Sequence, residues 1–207
     1  KKKEKLPTGT CLILVTPDSE RTMCTFLGTA GQINDNDINL DAVKKSDLIF
    51  LEGYLWDEGN PKKAFEKAIE NSKKVAMSLS DKFCVERHKT HFLNLVKNEL
   101  DITFANEEEI MSLIDAKNFD EVINFAREIK KHLIVTRGEK GAISITDDNI
   151  TEIGTKDNLK IIDLTGAGDL FAAGYLHELI KESSPKKCLE KGTELSSRII
   201  QQIGARF

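Results

Sequence analysis

Residues 163–171 read DLTGAGDLF, and this stretch decides the fold. It follows a short apolar run at residues 160–162, for which we predict a strand, and it opens a segment with apolar side chains at helical spacing. Gly166 and Gly168 allow the backbone to turn sharply and to approach a ligand closely. The free N–H groups of the first helical turn point outward and, with the helix dipole, favour an anion. We therefore predict an anion hole formed by Gly166, Ala167 and Gly168.

A carboxylate inside this turn, Asp169, is informative because its negative charge would repel a bound phosphate. Its presence is explained if it abstracts a proton from an attacking hydroxyl. Phosphoryl transfer needs positioning, charge stabilisation and an oriented nucleophile, and this short turn would supply both donors and a base. The alternative is structural: Asp163 and Thr165 would cap the helix, and the glycines would only serve a tight turn.

The rest of the chain alternates apolar runs of strand length with helical patterns. Strands are predicted at residues 11–16, 21–26, 47–52, 74–79, 101–105, 132–137, 142–146 and 150–153. Helices are predicted at residues 37–46, 61–71, from a cap at 80 or 81 to about 97, 106–114, 119–130, and twice more near the end. This order predicts an α/β fold with a mostly parallel sheet and helices on both faces. Ligands of such folds bind beyond the carboxyl ends of the strands.

Composition excludes several classes of function. The chain has 207 residues, of which 31% are charged, and its formal net charge is −4. It therefore lacks the excess of basic residues that is typical of proteins that bind nucleic acid. The apolar run at residues 11–15 is too short for a signal-peptide core. No stretch approaches the roughly 18 apolar residues of a membrane-spanning helix, and we therefore expect a cytoplasmic protein with no membrane partner.

The nine-residue pattern at residues 163–171 resembles the second signature of the phosphofructokinase-B (ribokinase-like) family of carbohydrate and nucleoside kinases, although Leu164 stands where the family usually has Thr. The resemblance implies a three-layer α/β/α fold and an ATP-dependent kinase. Such an enzyme moves the γ-phosphate to a hydroxymethyl group of a sugar or nucleoside, adenosine among them, with Asp169 as base. The bacterial branch of adenosine and sugar kinases is the most similar.

Further elements of the family lie in the expected order. Residues 106–109, NEEE, resemble its N-x-x-E element, which implies that Asn106 contacts the ATP phosphates and that Glu109 holds Mg²⁺ through water. The alternative is a capping Asn followed by acids of a first helical turn. Residues 136–141, TRGEKG, resemble the T-x-G-x-x-G turn near the phosphates. The phosphate-binding residues implied are Thr136, Arg137, Gly138 and Thr165.

Two other sites are implied by the resemblance. Asp163 matches the family's monovalent-cation (K⁺) site, which also needs a terminal loop near Phe207, so K⁺ stays open. On the acceptor side, the segment after residue 52 supplies Gly53 and Tyr54 as substrate-binding residues. Tyr54 and Trp56 either line a ring-binding pocket or are ordinary loop aromatics.

The resemblance covers nearly the whole chain but only the later part of the family pattern. We expect residues 1–30 to be a remnant leading from the lid and substrate region, and residues 31–207 to be the ATP-binding and catalytic core. The family's N-terminal portion, with its first glycine signature and most of the lid, is not visible. A homodimer of the full-length protein is left open.

Rival functions are weaker. A P-loop ATPase is excluded because GxxxxGK[ST] is absent, and a dehydrogenase would need GxGxxG after the first strand. The serious alternative is a nucleotide-binding regulatory domain without turnover. Retention of Asn106, Glu109 and Asp169 argues against it, because a mere binder gains nothing from a base beside phosphate.

Overall fold

The computed structural model describes residues 5–57 and 61–207. Its strands are β1 (Thr8–Val15), β2 (Arg21–Gly28), β3 (Ile49–Glu52), β4 (Val75–Ser78), β5 (Ile102–Asn106), β6 (His132–Thr136), β7 (Ala142–Ile145) and β8 (Ile150–Ile153). Its α-helices are α1 (Leu40–Lys45), α2 (Pro61–Glu70), α3 (Lys82–Asn94), α4 (Glu107–Ile114), α5 (Phe119–Ile129), α6 (Ala167–Ile180) and α7 (Pro185–Ile199). The predicted alternation of strands and helices is confirmed.

A six-stranded sheet has the order β3-β4-β5-β6-β7-β8, and β1 pairs with β2 in a separate two-stranded sheet. β4 is parallel to β3 and to β5, with Ile49 opposite Val75 and Ala76 opposite Ile102. β7 and β8 are antiparallel, as the hairpin pattern predicts. Val75, Ala76 and Met77 are almost fully buried, because a parallel strand covered on both faces must be apolar along its length.

Side-chain caps explain where several helices begin. Asp81 accepts from the Cys84 N–H at 2.6 Å and starts α3, and the Asn118 side chain likewise caps α5. Ser184 caps α7, whose first residue is Pro185. α6 differs because its N-cap is Gly166, which has no side chain to occupy the first-turn amides. Among the helices of the described residues, none is long and apolar enough to cross a bilayer.

Three predicted elements differ from the structure. The predicted strand at residues 160–162 is wrong: the Ile162 and Asp163 N–H groups donate to the Ile200 carbonyl at 2.8 and 3.3 Å, beside the end of α7 and not to a neighbouring strand. The helix predicted at residues 37–46 divides into a 3₁₀ turn, Asp35–Asp37, and α1. The helix predicted to residue 97 ends as α3 and continues as a π-helical turn, Leu95–Glu99.

By its internal contacts the chain divides into two compact units. The first unit comprises Lys1–Cys11, Thr25–Leu133 and Thr146–Asp148. The second unit comprises Leu12–Cys24, Ile134–Ile145 and Asn149–Phe207. The first unit contains β3 to β5, and the second contains β7, β8, α6 and α7.

In the second unit, α6 and α7 cross at two glycines. A Cβ atom on Gly174 would lie 2.7 Å from the Lys191 carbonyl oxygen, and one on Gly192 would lie 2.8 Å from the Phe171 carbonyl oxygen. Such contacts are closer than a side chain tolerates, so the helices approach each other through bare backbone. The crossing therefore fixes the position of α6.

A buried carboxylate near the end of α6 supports the same packing. Glu178 Oε2 lies 3.2 Å from Lys187 Nζ of α7 and accepts from the Ser183 hydroxyl at 2.8 Å, while Oε1 lies 3.3 Å from Lys181 Nζ. The hydrogen bonds from Ser183 and Lys187 lower the pKa of Glu178 to about 2. The carboxylate therefore stays charged and links the two helices across the loop between them.

We predict that Gly174→Ala destabilises the protein. Overpacking against a backbone carbonyl costs about 1–3 kcal/mol. Most of this range exceeds the roughly 1 kcal/mol by which helix propensity favours Ala over Gly. Urea unfolding should show a lower free energy of unfolding for this variant. The matched control is Gly154→Ala, since a Cβ atom there meets nothing within 4 Å. Equal unfolding curves for the two variants would contradict the prediction.

Candidate active site

The first turn of α6 leaves two of its backbone donors open. Gly166, just before it, has φ +79°, and a Cβ atom on it would lie 2.8 Å from Ala205 Cβ, so both the backbone conformation and the space require glycine. The Ala167 N–H donates to the Leu164 carbonyl at 3.2 Å. Within the described part of the chain, the N–H groups of Gly168 and Asp169 have no acceptor, and neither has that of Gly166. Open donors at the positive end of a helix favour a negatively charged ligand.

The Asp169 side chain is exposed in the same turn, beside the two open donors. It makes no hydrogen bond or ion pair with any other described residue. A carboxylate that neither caps its helix nor packs against its surroundings is accessible to a substrate hydroxyl. The structural alternative, in which Asp163 and Thr165 cap the helix, does not hold, because α6 has no side-chain cap.

Asp163 stabilises the turn through hydrogen bonds to its buried carboxylate. Its carboxylate is 2% exposed, with Oδ1 accepting from the Thr165 N–H at 2.8 Å and from the Thr165 hydroxyl at 2.5 Å. Oδ2 accepts from the Gly204 N–H at 2.9 Å. Burial acts to raise the pKa of Asp163, but these hydrogen bonds and the charge of Arg21 outweigh it, so the pKa lies below its usual value. The Thr165 side chain thus faces Asp163 and not open solvent.

A cavity of about 490 Å³ adjoins the turn. Much of its wall is apolar, and hydroxyl groups stand among the apolar side chains. Its lining includes Thr136, Gly138, Leu159, Ile161, Leu164, Gly168, Phe171, Thr193, Ser196 and Ile200. An apolar cavity with a few polar groups suits a flat heterocycle. An anion-binding turn at its edge adds a place for an attached phosphate.

The turn after β6 forms another part of the wall. The Arg137 N–H donates to the Gly141 carbonyl at 2.8 Å, which closes the turn. Gly141 has φ +91°, and its Cβ atom would lie 1.9 Å from the Ile153 carbonyl oxygen, so only glycine fits. The structure therefore brings Thr136 and Gly138 to the cavity, whereas Arg137 is outside its lining.

In the first unit, Asn106 and Glu109 form a reciprocal capping box at the start of α4. Asn106 Oδ1 accepts from the Glu109 N–H at 2.8 Å, and Glu109 Oε2 accepts from the Asn106 N–H at 2.9 Å. Asn106 Nδ2 also donates to Glu109 Oε1 at 2.6 Å. The capping alternative of the sequence analysis is therefore present in the structure, and it does not preclude a second role.

The electrostatics of Glu109 favour a cation. Burial, the largest cause, and the negative charges of Asp81, Glu52 and Glu108 together raise its pKa to about 7, against the lowering effect of the Asn106 N–H. Among the described residues, no group of three His, Cys, Asp or Glu side chains could hold a metal ion. A carboxylate beside other acids offers the oxygen ligands and the negative charge that Mg²⁺ prefers, and Mg²⁺ usually keeps much of its hydration shell.

The loop after β3 places Tyr54 and Trp56 differently. Tyr54 is 42% exposed, and its phenol lies near the Asp81 carboxylate. Partial burial and then the charge of Asp81 raise the pKa of Tyr54. Trp56 packs edge-on against Phe65, with ring centres 5.1 Å apart. Tyr54 is thus accessible to a ligand, whereas Trp56 belongs to aromatic packing.

Sequence reasoning missed some residues of these sites. It treated Ser80 and Asp81 only as alternative helix caps, although both follow a predicted buried strand. That position after β4 was the available signal. The contribution of α7 to the cavity, through Thr193 and Ser196, had no local signal, because helical polar residues usually face solvent.

We predict that Ser196→Phe blocks the cavity. Ser196 is half-buried and lines it, so an aromatic ring there should fill space that a ligand needs. Binding of a fluorescent ATP analogue should weaken by about tenfold or more. Glu190→Phe, on an exposed position of the same helix, is the control and should bind normally. Normal binding by Ser196→Phe would contradict the prediction that a nucleotide binds in this cavity.

We predict a pH dependence of stability from Glu109. Because the pKa of Glu109 in the folded protein, about 7, exceeds the usual glutamate value of 4.5, its contribution to stability is present below pH 4.5 and is lost as pH rises through 7. The loss is at most about 3 kcal/mol. Glu109→Gln keeps an oxygen for the capping box and removes the titration. Urea unfolding at several pH values should show the wild type losing stability relative to this variant. Parallel profiles would refute the assignment.

Comparison with known proteins identifies the family of this chain. The family model described as "pfkB family carbohydrate kinase" matches residues 1–207. Adenosine kinase 2 of Arabidopsis thaliana is 25% identical over 224 residues, which cover 99% of this chain and 64% of that protein. The chain thus spans less than two thirds of the length of such relatives.

Two solved structures are also similar. Adenosine kinase from Sinorhizobium meliloti has a TM-score of 0.93 and 35% identity, covering 97% of this chain and 63% of that one. A probable sugar kinase from Rhizobium etli CFN 42 has a TM-score of 0.94 and 34% identity, covering 100% of this chain and 64% of that one. These likenesses confirm the ribokinase-like α/β fold that the sequence predicts.

Proposed function

Because the chain belongs to the pfkB family of carbohydrate kinases, we propose that the protein transfers the γ-phosphate of ATP to a hydroxymethyl group of a sugar or nucleoside. The supporting observation is the start of α6, where two N–H groups without a protein acceptor lie beside the exposed carboxylate of Asp169. Donors for a phosphate and an acceptor for a proton are the two things that this transfer requires.

Asp169 is the proposed base. It takes the proton of the acceptor hydroxyl as that oxygen attacks the γ-phosphorus, and the bond from phosphorus to the bridging oxygen breaks to leave ADP. The N–H groups of the anion hole, Gly166, Ala167 and Gly168, offset the charge that develops on the transferred group. Among the described residues, the N–H groups of Gly166, Gly168 and the neighbouring Asp169 have no acceptor, whereas that of Ala167 donates to the Leu164 carbonyl.

The adenine is proposed to bind in the cavity beside α6. Thr136, Gly138, Arg137 and Thr165 are the proposed contacts of the phosphate chain, with Asn106 from the start of α4. Mg²⁺ would be held through water by Glu109 and would neutralise charge on the phosphates. A K⁺ ion at Asp163 stays a prediction, and there the hydrogen bonds from Thr165 and Gly204 already stabilise the charge.

The acceptor is proposed to be a nucleoside or a sugar, with Gly53 and Tyr54 on its binding side. Similarity to adenosine kinases supports adenosine as the first candidate, and similarity to a probable sugar kinase keeps sugars in the class. Residues 31–207 are proposed as the ATP-binding and catalytic core, with residues 1–30 leading in from the lid. A cytoplasmic location and a homodimer remain predictions of the sequence.

We predict that Asp169→Asn lowers acceptor-dependent ADP formation by the full-length protein about 10²- to 10⁴-fold, because the base is lost. The measurement is an ADP-release assay against nucleosides, pentoses, hexoses and ketodeoxy acids. Binding of ATP should survive, since the backbone donors remain. Asp148→Asn, which changes an exposed acid of the turn between β7 and β8, should behave as the wild type.

The outcomes separate the candidate functions. Equal turnover by Asp169→Asn and the wild type would remove the base assignment. ATP binding with no ADP release for any acceptor would instead favour the regulatory domain without turnover.

A further inference from the structure

We propose that Ser80 is a positioning residue that holds the Gly53–Tyr54 turn for the acceptor. This inference rests on the proposed function, because it takes Tyr54 to lie on the acceptor side. Ser80 comes two residues after the end of β4, and Tyr54 comes two residues after the end of β3. Because β3 and β4 are neighbouring parallel strands, their carboxyl ends lie side by side.

The backbone of Ser80 is unusual. Its φ is +75°, in the left-handed region that residues other than glycine, Asn and Asp seldom adopt. Glycine would adopt this conformation without steric cost. A serine retained there indicates that its side chain has a role, because strained residues persist where surrounding interactions require them.

The Ser80 hydroxyl makes two contacts with the neighbouring strand's end. It donates to Glu52 Oε1 and accepts from the Tyr54 N–H at 3.1 Å. One hydroxyl can donate once and accept at the same time, so both bonds can exist together. The hydroxyl therefore connects the last residue of β3 to the backbone of the aromatic residue beyond it.

Gly53 is fitted to the same hydroxyl. A Cβ atom on Gly53 would lie 2.8 Å from Ser80 Oγ, 3.0 Å from the Ser78 carbonyl oxygen and 3.1 Å from that of Leu79. The turn therefore packs directly on the backbone that leaves β4. Loss of the hydroxyl would remove the hydrogen bond to the Tyr54 N–H and the nearest of the three atoms against which Gly53 packs.

Asp81, the next residue, lies near the other end of Tyr54. Its carboxylate accepts from the Cys84 N–H at 2.6 Å and is therefore fixed by α3, and it is close enough to the phenol to raise the pKa of Tyr54. The hydrogen bond to Ser80 thus holds the backbone of a tyrosine whose ring lies beside a fixed carboxylate. An aromatic ring on a fixed backbone offers a preorganised surface for a flat or ring-shaped acceptor.

The first test measures the turn without turnover. In Ser80→Gly the strain is relieved and the hydroxyl is lost, so the protein should fold while hydrogen exchange at the Tyr54 amide accelerates by about tenfold. Ser80→Ala should show the same acceleration. Ser72→Ala is the control, since the Ser72 hydroxyl donates to the Ile69 carbonyl at 3.0 Å and is outside this turn. Unchanged exchange at Tyr54 would overturn the proposal.

The second test measures the acceptor. With the first active acceptor of the ADP-release panel, Ser80→Gly in the full-length protein should raise the acceptor KM about tenfold while kcat and the KM for ATP change by less than about twofold. A merely structural role would alter all three together. An unchanged acceptor KM in an active enzyme overturns the positioning role, whereas a wild type without acceptor-dependent ADP release overturns the proposed function.

Discussion

The second unit depends on one buried carboxylate, Asp163. Each of its oxygens accepts from a different part of the chain, Oδ1 from Thr165 and Oδ2 from Gly204. A buried charge is tolerated only when it is well hydrogen-bonded, so the turn before α6 and the loop after α7 must both be in place for the unit to be stable. That same turn presents the Gly168 and Asp169 amides. A structural requirement and a chemical one therefore coincide in this loop.

Two buried acids show how the surroundings decide a carboxyl's state. Hydrogen bonds to Asp163 favour its charged form and lower its pKa despite burial. Glu109 also receives hydrogen bonds, but burial and acidic neighbours dominate and raise its pKa. The first difference lies in the hydrogen bonds: three lower the pKa of Asp163, whereas only the one from the Asn106 N–H lowers that of Glu109. The neighbouring charges act in the same sense, Arg21 on Asp163 and Asp81, Glu52 and Glu108 on Glu109. Asp163 is therefore a fixed anchor, whereas the surroundings of Glu109 favour its neutral form.

Much of the fold was predictable because it follows from local patterns. The apolar runs locate β3 to β8, and Asp81, Asn118 and Ser184 are of the residue types that cap helices. The strand predicted at residues 160–162 failed because the amides there bond to Ile200, almost 40 positions later, and no local pattern encodes such a partner. The glycine turn and Asp169 were recognised because the nine-residue pattern at residues 163–171 resembles a family signature, whereas the glycines and the acid alone would have favoured a simple tight turn. Ser80 was not, since its meaning lies in a positive φ and in contacts with β3, which only coordinates reveal.

The crossing of α6 and α7, where glycines bring the two backbones into contact, also limits how far α6 can move along its own axis. If α6 advanced by one position, Ala173 or Tyr175 would meet the Lys191 carbonyl that now faces Gly174, and neither side chain has room there. The crossing thus permits only one axial register between the two helices. Since the turn proposed to bind phosphate is the first turn of α6, its position relative to a ligand would be determined five to eight residues further along the helix, at the crossing with α7.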